Sequence, residues 1–321
     1  MDSIWMRDYI DKNLKTIKKN INTSILIIGG GISGLLCAYS FMKSKIDFTL
    51  VDGRKIAMGV SANTTAQVSI AHDKMYYDIS KKHGKNKAIR YLMSQFEGLN
   101  LLKKIIKDEK INCDYKEEST ILSANIKENI KILKEQEQLI KKSTDNIRWT
   151  SSKENIFKHK KNLEFKNQFI FNPMKFMMGL VDILKENNIN LYEKSLVTKI
   201  DKKDEYYEVI INNNYKIITK KIVMACHYPF LNPDNLYFAK LYQSKSYAIA
   251  FKTNKKIDAN YVSLDYPYYY IRTYDKNTLI IGGADHYSGI EIDTSKQYET
   301  LINKIYEIDK NAKILYKWYT Q

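Results

Sequence analysis

The chain has 321 residues, 44% hydrophobic and 27% charged, an ordinary globular composition long enough for a large core or two domains. Its formal net charge is +16, but the basic residues are almost all lysine and are dispersed, the only arginines being Arg7, Arg54, Arg90, Arg148 and Arg272; phosphate forks and base readers favour arginine, so no nucleic-acid partner is expected. Three separated cysteines (Cys37, Cys113, Cys226) and five histidines without ligand spacing imply no disulfide framework and no metal site, and point to a cytoplasmic location.

Residues 1–21 are polar and basic, an extension with Trp5 and Met6 as anchors, either frayed or laid over the surface. Lys12, Lys15, Lys18 and Lys19 precede an apolar stretch from Ile25 to Met42. That stretch is not read as a membrane span, because its glycine cluster would leave backbone groups unsatisfied in lipid. Instead, Ile25 to Ile28 is an unbroken apolar run, as in a parallel strand buried on both faces, and it stops at Gly29-Gly30-Gly31. Ile32-Ser33-Gly34 opens a helix, Phe48 to Val51 is a second strand, and Asp52 ends it. A strand, tight turn, helix and strand with an acid at this distance predict a dinucleotide site. Gly29 permits the turn, Gly31 lets the backbone approach a pyrophosphate, and Gly34 lets the helix pack on the strand. The free N–H groups at the helix start suit a diphosphate. Asp52 is placed to bond a ribose hydroxyl and would repel a 2′-phosphate.

Residues 53–72 are small and hydroxylated. Small residues allow a flat ring to lie against the backbone; the alternative is an ordinary Ser/Thr loop with helix caps. Residues 74–110 carry apolar positions at three-to-four spacing and predict helices divided at Gly84. A strand over 114–123, a helix over 125–142 and a polar loop over 143–163 follow. Residues 164–171 read as a strand, and Asn172-Pro173 starts a helix from Met174 to Glu186, with Met174, Met177 and Met178 as core filler. A β-meander then runs to Cys226. Strands over 244–251, 268–274 and 278–283 hold a concentration of tyrosine, and alternation puts Tyr268, Tyr270 and Arg272 on one face with Tyr269 and Ile271 on the other. A helix over 295–309 and a last strand from Ile314 to Tyr319 complete the chain.

Several segments together carry a resemblance. They are Ser3-Ile4-Trp5, Asn63-Thr64-Thr65-Ala66-Gln67-Val68 with His72, Phe171-Asn172-Pro173, Ala225-Cys226-His227-Tyr228-Pro229-Phe230, Tyr270-Ile271-Arg272-Thr273-Tyr274 and Gly282-Gly283-Ala284-Asp285-His286. In this order they are similar to the FAD-dependent D-amino-acid oxidase/glycine oxidase-like (DAO) family, nearest the bacterial branch that often carries a C-terminal Rieske domain. The Cys-x-His and Cys-x-x-His ligands of a Rieske cluster do not occur in these residues.

The resemblance implies an α/β fold: a Rossmann-like FAD-binding domain with an inserted α+β substrate domain built on an antiparallel sheet. The FAD domain would be discontinuous, 22–73 and 165–235, and the substrate domain would combine 74–164 and 236–310. Residues 311–321 would start a truncated C-terminal return to the FAD domain. The resemblance places Gly29, Gly30, Gly31, Ile32, Ser33 and Gly34 around the pyrophosphate, and Asp52, Gly53 and Arg54 by the adenosine ribose. Asn63, Thr64, Thr65 and Ala66 would face the flavin, and Val197 the adenine.

The implied chemistry is oxidation of the C–N bond of an amine or amino acid by hydride transfer to flavin, with oxygen or another acceptor reoxidising it. Arg272, with Tyr270 beside it, is the candidate clamp for a substrate carboxylate; the alternative is a sheet arginine paired with an acid. His72 and His227 are either flavin neighbours or structural histidines. Two other readings remain, an NAD-dependent dehydrogenase and a truncated, non-catalytic remnant of the fold.

Overall fold

The computed structural model describes residues 3–150, 159–228, 236–289 and 293–320. Pro229, Phe230 and Gln321 lie outside them. In chain order the elements are β1 (Ile21–Ile28), α1 (Ile32–Lys43), β2 (Phe48–Val51), β3 (Gln67–Val68), α2 (Met75–His83), α3 (Lys85–Asp108), β4 (Lys116–Ala124) and α4 (Lys127–Ile140). Next come β5 (Ile147–Thr150), β6 (Lys161–Ile170), α5 (Pro173–Glu186), β7 (Asn190–Tyr192), β8 (Val197–Lys202), β9 (Tyr207–Ile211), β10 (Tyr215–Met224) and α6 (Tyr237–Lys240). The last are β11 (Ser244–Lys252), β12 (Asn260–Ser263), β13 (Tyr269–Asp275), β14 (Thr278–Tyr287), α7 (Thr294–Ile308) and β15 (Lys313–Thr320).

The glycine turn belongs to a six-stranded sheet in the order β7-β2-β1-β10-β9-β8. The first four strands run parallel, and the meander adds β9 and β8 antiparallel. The apolar run of β1 explains its central place, since both of its faces are covered. Ile27 packs with Leu35 and Ala38 of α1 and with Leu180, Val181 and Leu184 of α5. Leu26 and Ile28 pack on the opposite face with Ile17, Val51, Val209 and Ile217. The Asn172 side chain caps α5, accepting from the N–H groups of Met174 and Lys175 at 3.1 Å each. Met174, Met177 and Met178 are core residues, as their spacing predicts.

The second sheet has nine strands, β15-β11-β14-β13-β12-β4-β6-β3, with β5 on β6. It is antiparallel except at β12–β4. The predicted alternation along β13 holds for its tyrosines. Tyr269 and Ile271 face the cluster under α7, formed by Leu301, Ile305 and Ile308, while Tyr268 and Tyr270 pack against the core shared with α1 and α5.

Four expectations change or narrow. The N-terminal segment is docked from Ser3 onward rather than frayed: Ile4 and Trp5 are 1% exposed, the Ser3 hydroxyl donates to the Ala62 carbonyl, and the Trp5 indole donates to the Thr64 carbonyl at 2.7 Å. Residues 147–150 form β5 where the polar composition suggests a loop, because the strand pairs with the edge of β6 and Arg148 meets Glu164. β6 and β3 pair within the nine-stranded sheet, whereas the expected discontinuous FAD domain took in residues 165–170 and 67–68. Residues 313–320 do not return to the six-stranded sheet. They pair with β11, and the buried Trp318 indole donates to the Asn63 carbonyl at 2.9 Å.

Candidate active site

Three glycines span the gap between β1 and α1. Gly29 turns the chain at φ +109°, where its N–H donates to the Val51 carbonyl at 2.8 Å. Gly34 allows the closest approach in the fold's first unit, since a Cβ there would lie 1.9 Å from the Gly29 carbonyl oxygen. Asp52 organises the turn from the side. Its Oδ2 accepts from the Gly30 N–H and its Oδ1 from the Arg54 N–H, both at 2.7 Å.

A cleft of about 970 Å³ opens in front of this turn. Of the predicted cofactor residues, Gly29, Gly31, Ile32, Ser33, Asp52, Gly53, Arg54, Asn63 and Val197 line it. Gly30 and Gly34 form the turn and the helix contact behind it. His227, at φ +66°, lines the cleft with Cys226. The cleft also takes in Ser61, Leu196, Lys245 and Tyr319, which the motif does not indicate. The Ser61 hydroxyl accepts from the Ile32 N–H at 3.1 Å at the start of α1. Lys245 and Tyr319 reach the cleft because β11 and β15 pair, with the Lys245 ammonium 4.6 Å from the Tyr319 ring centre.

Thr64, Thr65 and Ala66 do not line the cleft. They form a partition held by distant residues. The Thr64 carbonyl takes the Trp5 indole, and the Thr64 hydroxyl accepts from the Ala66 N–H at 3.1 Å. The Arg272 Nη1 donates to the carbonyls of Thr65 (3.1 Å), Ala66 (2.7 Å) and Phe171 (3.1 Å), and its Nε to that of Thr273 (2.8 Å). Arg272 is 2% exposed, and its guanidinium lies 5.4 Å from the Trp5 ring centre. Burial lowers its pKa to about 9, so it stays charged at neutral pH. This corrects the carboxylate-clamp reading: the guanidinium is occupied by backbone carbonyls and turned into the core. Among the described residues it forms no ion pair within 4.0 Å, although Glu118 and Asp114 act on its charge, so the reading as an arginine paired with an acid does not hold there.

Beyond the partition lies a second chamber of about 360 Å³. Thr65, His72, Asp73, Thr120, Tyr268 and Tyr270 line it. The Tyr268 hydroxyl donates to both carboxylate oxygens of Asp73, at 3.1 Å each. Burial raises the Asp73 carboxyl to about 6; the Tyr268 hydrogen bond opposes the rise, Asp285 adds to it, and Lys74 opposes it. The Tyr270 ring lies over Gly282, and its hydroxyl is 3.0 Å from the Ser246 Oγ. His72 bonds the Tyr91 hydroxyl through Nδ1 at 2.8 Å, and burial pushes its imidazole below the usual range. Asp73 was not legible as a site residue. Its partner stands 195 positions away, and no local motif flags either one.

Fold and cleft define a two-lobed dinucleotide-binding protein. A family model described as FAD dependent oxidoreductase (DAO) matches residues 24–319. The chain belongs to this DAO family of FAD-dependent oxidoreductases. It is 26% identical over 332 residues to a putative Rieske 2Fe-2S iron-sulfur protein of Bacillus subtilis, covering 100% of this chain and 64% of that relative. It is 23% identical over 338 residues to the γ-glutamylputrescine oxidoreductase of Escherichia coli, covering 94% of this chain and 74% of that one. Among solved structures, an L-proline dehydrogenase from P. horikoshii superposes with a TM-score of 0.73 at 16% identity, covering 94% of this chain and 81% of that one. Among the described residues no helix is long and apolar enough to cross a membrane.

The cleft fits FAD. Gly31 presents bare backbone at the mouth of the turn, where a Cβ would meet only the Ser61 Oγ, at 3.1 Å. Asp52 lines the cleft, and each of its oxygens has accepting capacity left beyond its one backbone bond, which suits a ribose hydroxyl. Asp52→Ala is therefore expected to raise the FAD dissociation constant at least about tenfold. Fluorescence titration of the apoprotein measures it, and unchanged affinity would remove Asp52 from the cofactor site.

Proposed function

We propose that the chain binds FAD in the glycine cleft and oxidises the C–N bond of an amine or amino acid held in the adjoining chamber. The observation that carries this reading is the shared partition. Asn63 faces the cleft, Thr65 faces the chamber, and only Thr64 separates them in sequence. When bound, FAD supplies a two-electron acceptor for hydride transfer from the carbon next to nitrogen, with oxygen or another acceptor completing turnover. The chain's own part is positioning. Gly29 to Gly34 and Asp52 hold the dinucleotide, the Arg272-held partition fixes the wall, and Tyr268, Tyr270 and Asp73 orient the substrate. The cytoplasmic location we infer rests on the three free cysteines.

Purified protein tests this directly. A yellow preparation absorbing near ~450 nm, bleached by a substrate amine without oxygen, is the expected result. Saturating FAD added to apoprotein should raise the melting temperature by at least a few degrees, since a ligand at about 100 times its Kd adds roughly 2.7 kcal/mol to the native state. A colourless protein that binds NAD would favour the dehydrogenase reading, and no stabilisation by FAD would favour a remnant.

A further inference from the structure

Resting on the flavoenzyme reading, we infer that the chamber recognises the cationic nitrogen of an amine through the Asp73 carboxylate, and that its substrate carries no α-carboxylate beside that nitrogen. The argument begins with charge. A site for an α-amino acid needs a cation for the carboxylate, commonly a bidentate arginine. Among the described residues lining the chamber there is no lysine or arginine. Arg272, the nearest by sequence pattern, is spent on the carbonyls of Thr65, Ala66 and Phe171. His72 lines the chamber, but burial favours its neutral form. Lys74 acts on the Asp73 carboxyl without lining the chamber.

What the chamber does offer suits an ammonium. The Tyr268 hydroxyl bisects the Asp73 carboxylate at 3.1 Å to each oxygen, which fixes its orientation and leaves further lone pairs free. The Tyr268 and Tyr270 rings, 5.9 Å apart and edge to face, add aromatic surface at the same wall. Aromatic faces attract ammonium groups as well as packing their alkyl stems. An α-carboxylate brought to this wall would meet the Asp73 charge, to which Asp285 adds, with Lys74 opposing it only from outside the lining.

Matched ligands test the inference. Pentylamine, benzylamine and 1,5-diaminopentane are compared with norleucine, phenylglycine and lysine, which differ from them by one carboxylate. Calorimetric titration into FAD-loaded protein without oxygen should show at least one amine binding at least about tenfold more tightly than its amino acid. Asp73→Asn keeps an oxygen that accepts from Tyr268; it should lose at least about tenfold of that affinity while binding FAD like the wild type. The inference is overturned if no amine binds, if the amino acids bind as tightly, or if Asp73→Asn binds the amine unchanged. Should Asp73→Asn fail to fold, the wild-type comparison decides. A protein that takes up no FAD refutes the flavoenzyme reading instead, and the same binding criteria are then applied to the FAD-free chain.

Discussion

Replacing Arg272 with methionine is expected to lower stability by at least about 3 kcal/mol and to strip FAD from the purified protein. The two N–H groups of Nη1 are shared among three carbonyls, those of Ala66 and Phe171 in buried bonds and that of Thr65 in a part-buried one. A buried polar group left without its partner costs roughly 1–3 kcal/mol, more where the partner was charged. Arg272→Lys should rescue little. One ammonium on a flexible stem cannot reproduce a planar fork whose Nε also reaches the Thr273 carbonyl on β13. The measurements are melting temperature and flavin content. A carboxylate clamp would behave differently: KM for acidic substrates would rise while melting temperature and flavin content stayed put.

Gly34→Ala is the second large effect. The new Cβ would sit 1.9 Å from the Gly29 carbonyl oxygen and 3.0 Å from its carbon, both backbone atoms of the cofactor turn. Neither can move without opening the β1–α1 joint, so a loss on the order of 4 kcal/mol and failure to retain FAD are expected. Gly98→Ala is the internal control. Gly98 lies within α3 with open space where its Cβ would be, so alanine should be neutral or stabilise by about 0.5–1 kcal/mol. Denaturant melts of both variants give the comparison. Equal stability for Gly34→Ala and wild type would mean the turn and helix can separate at no cost.

The dinucleotide unit was legible because its signals are local. Ile25 to Ile28, the glycines and Asp52 lie within one unit, and each residue type answers a constraint set by its neighbours. The same holds for the Gly84 break between α2 and α3 and for the Asn172 cap. Strand alternation also told which face Tyr268 and Tyr270 occupy. What alternation cannot tell is what a residue on that face will meet. Arg272 sits on a predicted strand, but its partners are carbonyls of loops 101 and 206 positions away. Backbone carbonyls leave no trace in the identities of Ala66 or Phe171. β15 and β11 were each legible as strands, but their pairing was not, because edge pairing depends on which edge is open.

The partition has a consequence for biosynthesis. Its carbonyls at Asn63, Thr64 and Ala66 are held by Trp318, Trp5 and Arg272, at separations of 255, 59 and 206 residues. Contacts that close such long loops form late, after the local strand–turn–helix unit is in place. The nascent chain can therefore shape its nucleotide turn early on the ribosome, while the Asn63–Ala66 wall waits for position 318 to emerge. Closing the cleft then depends on the strand that carries Trp318 and Tyr319 as well as on the glycine motif.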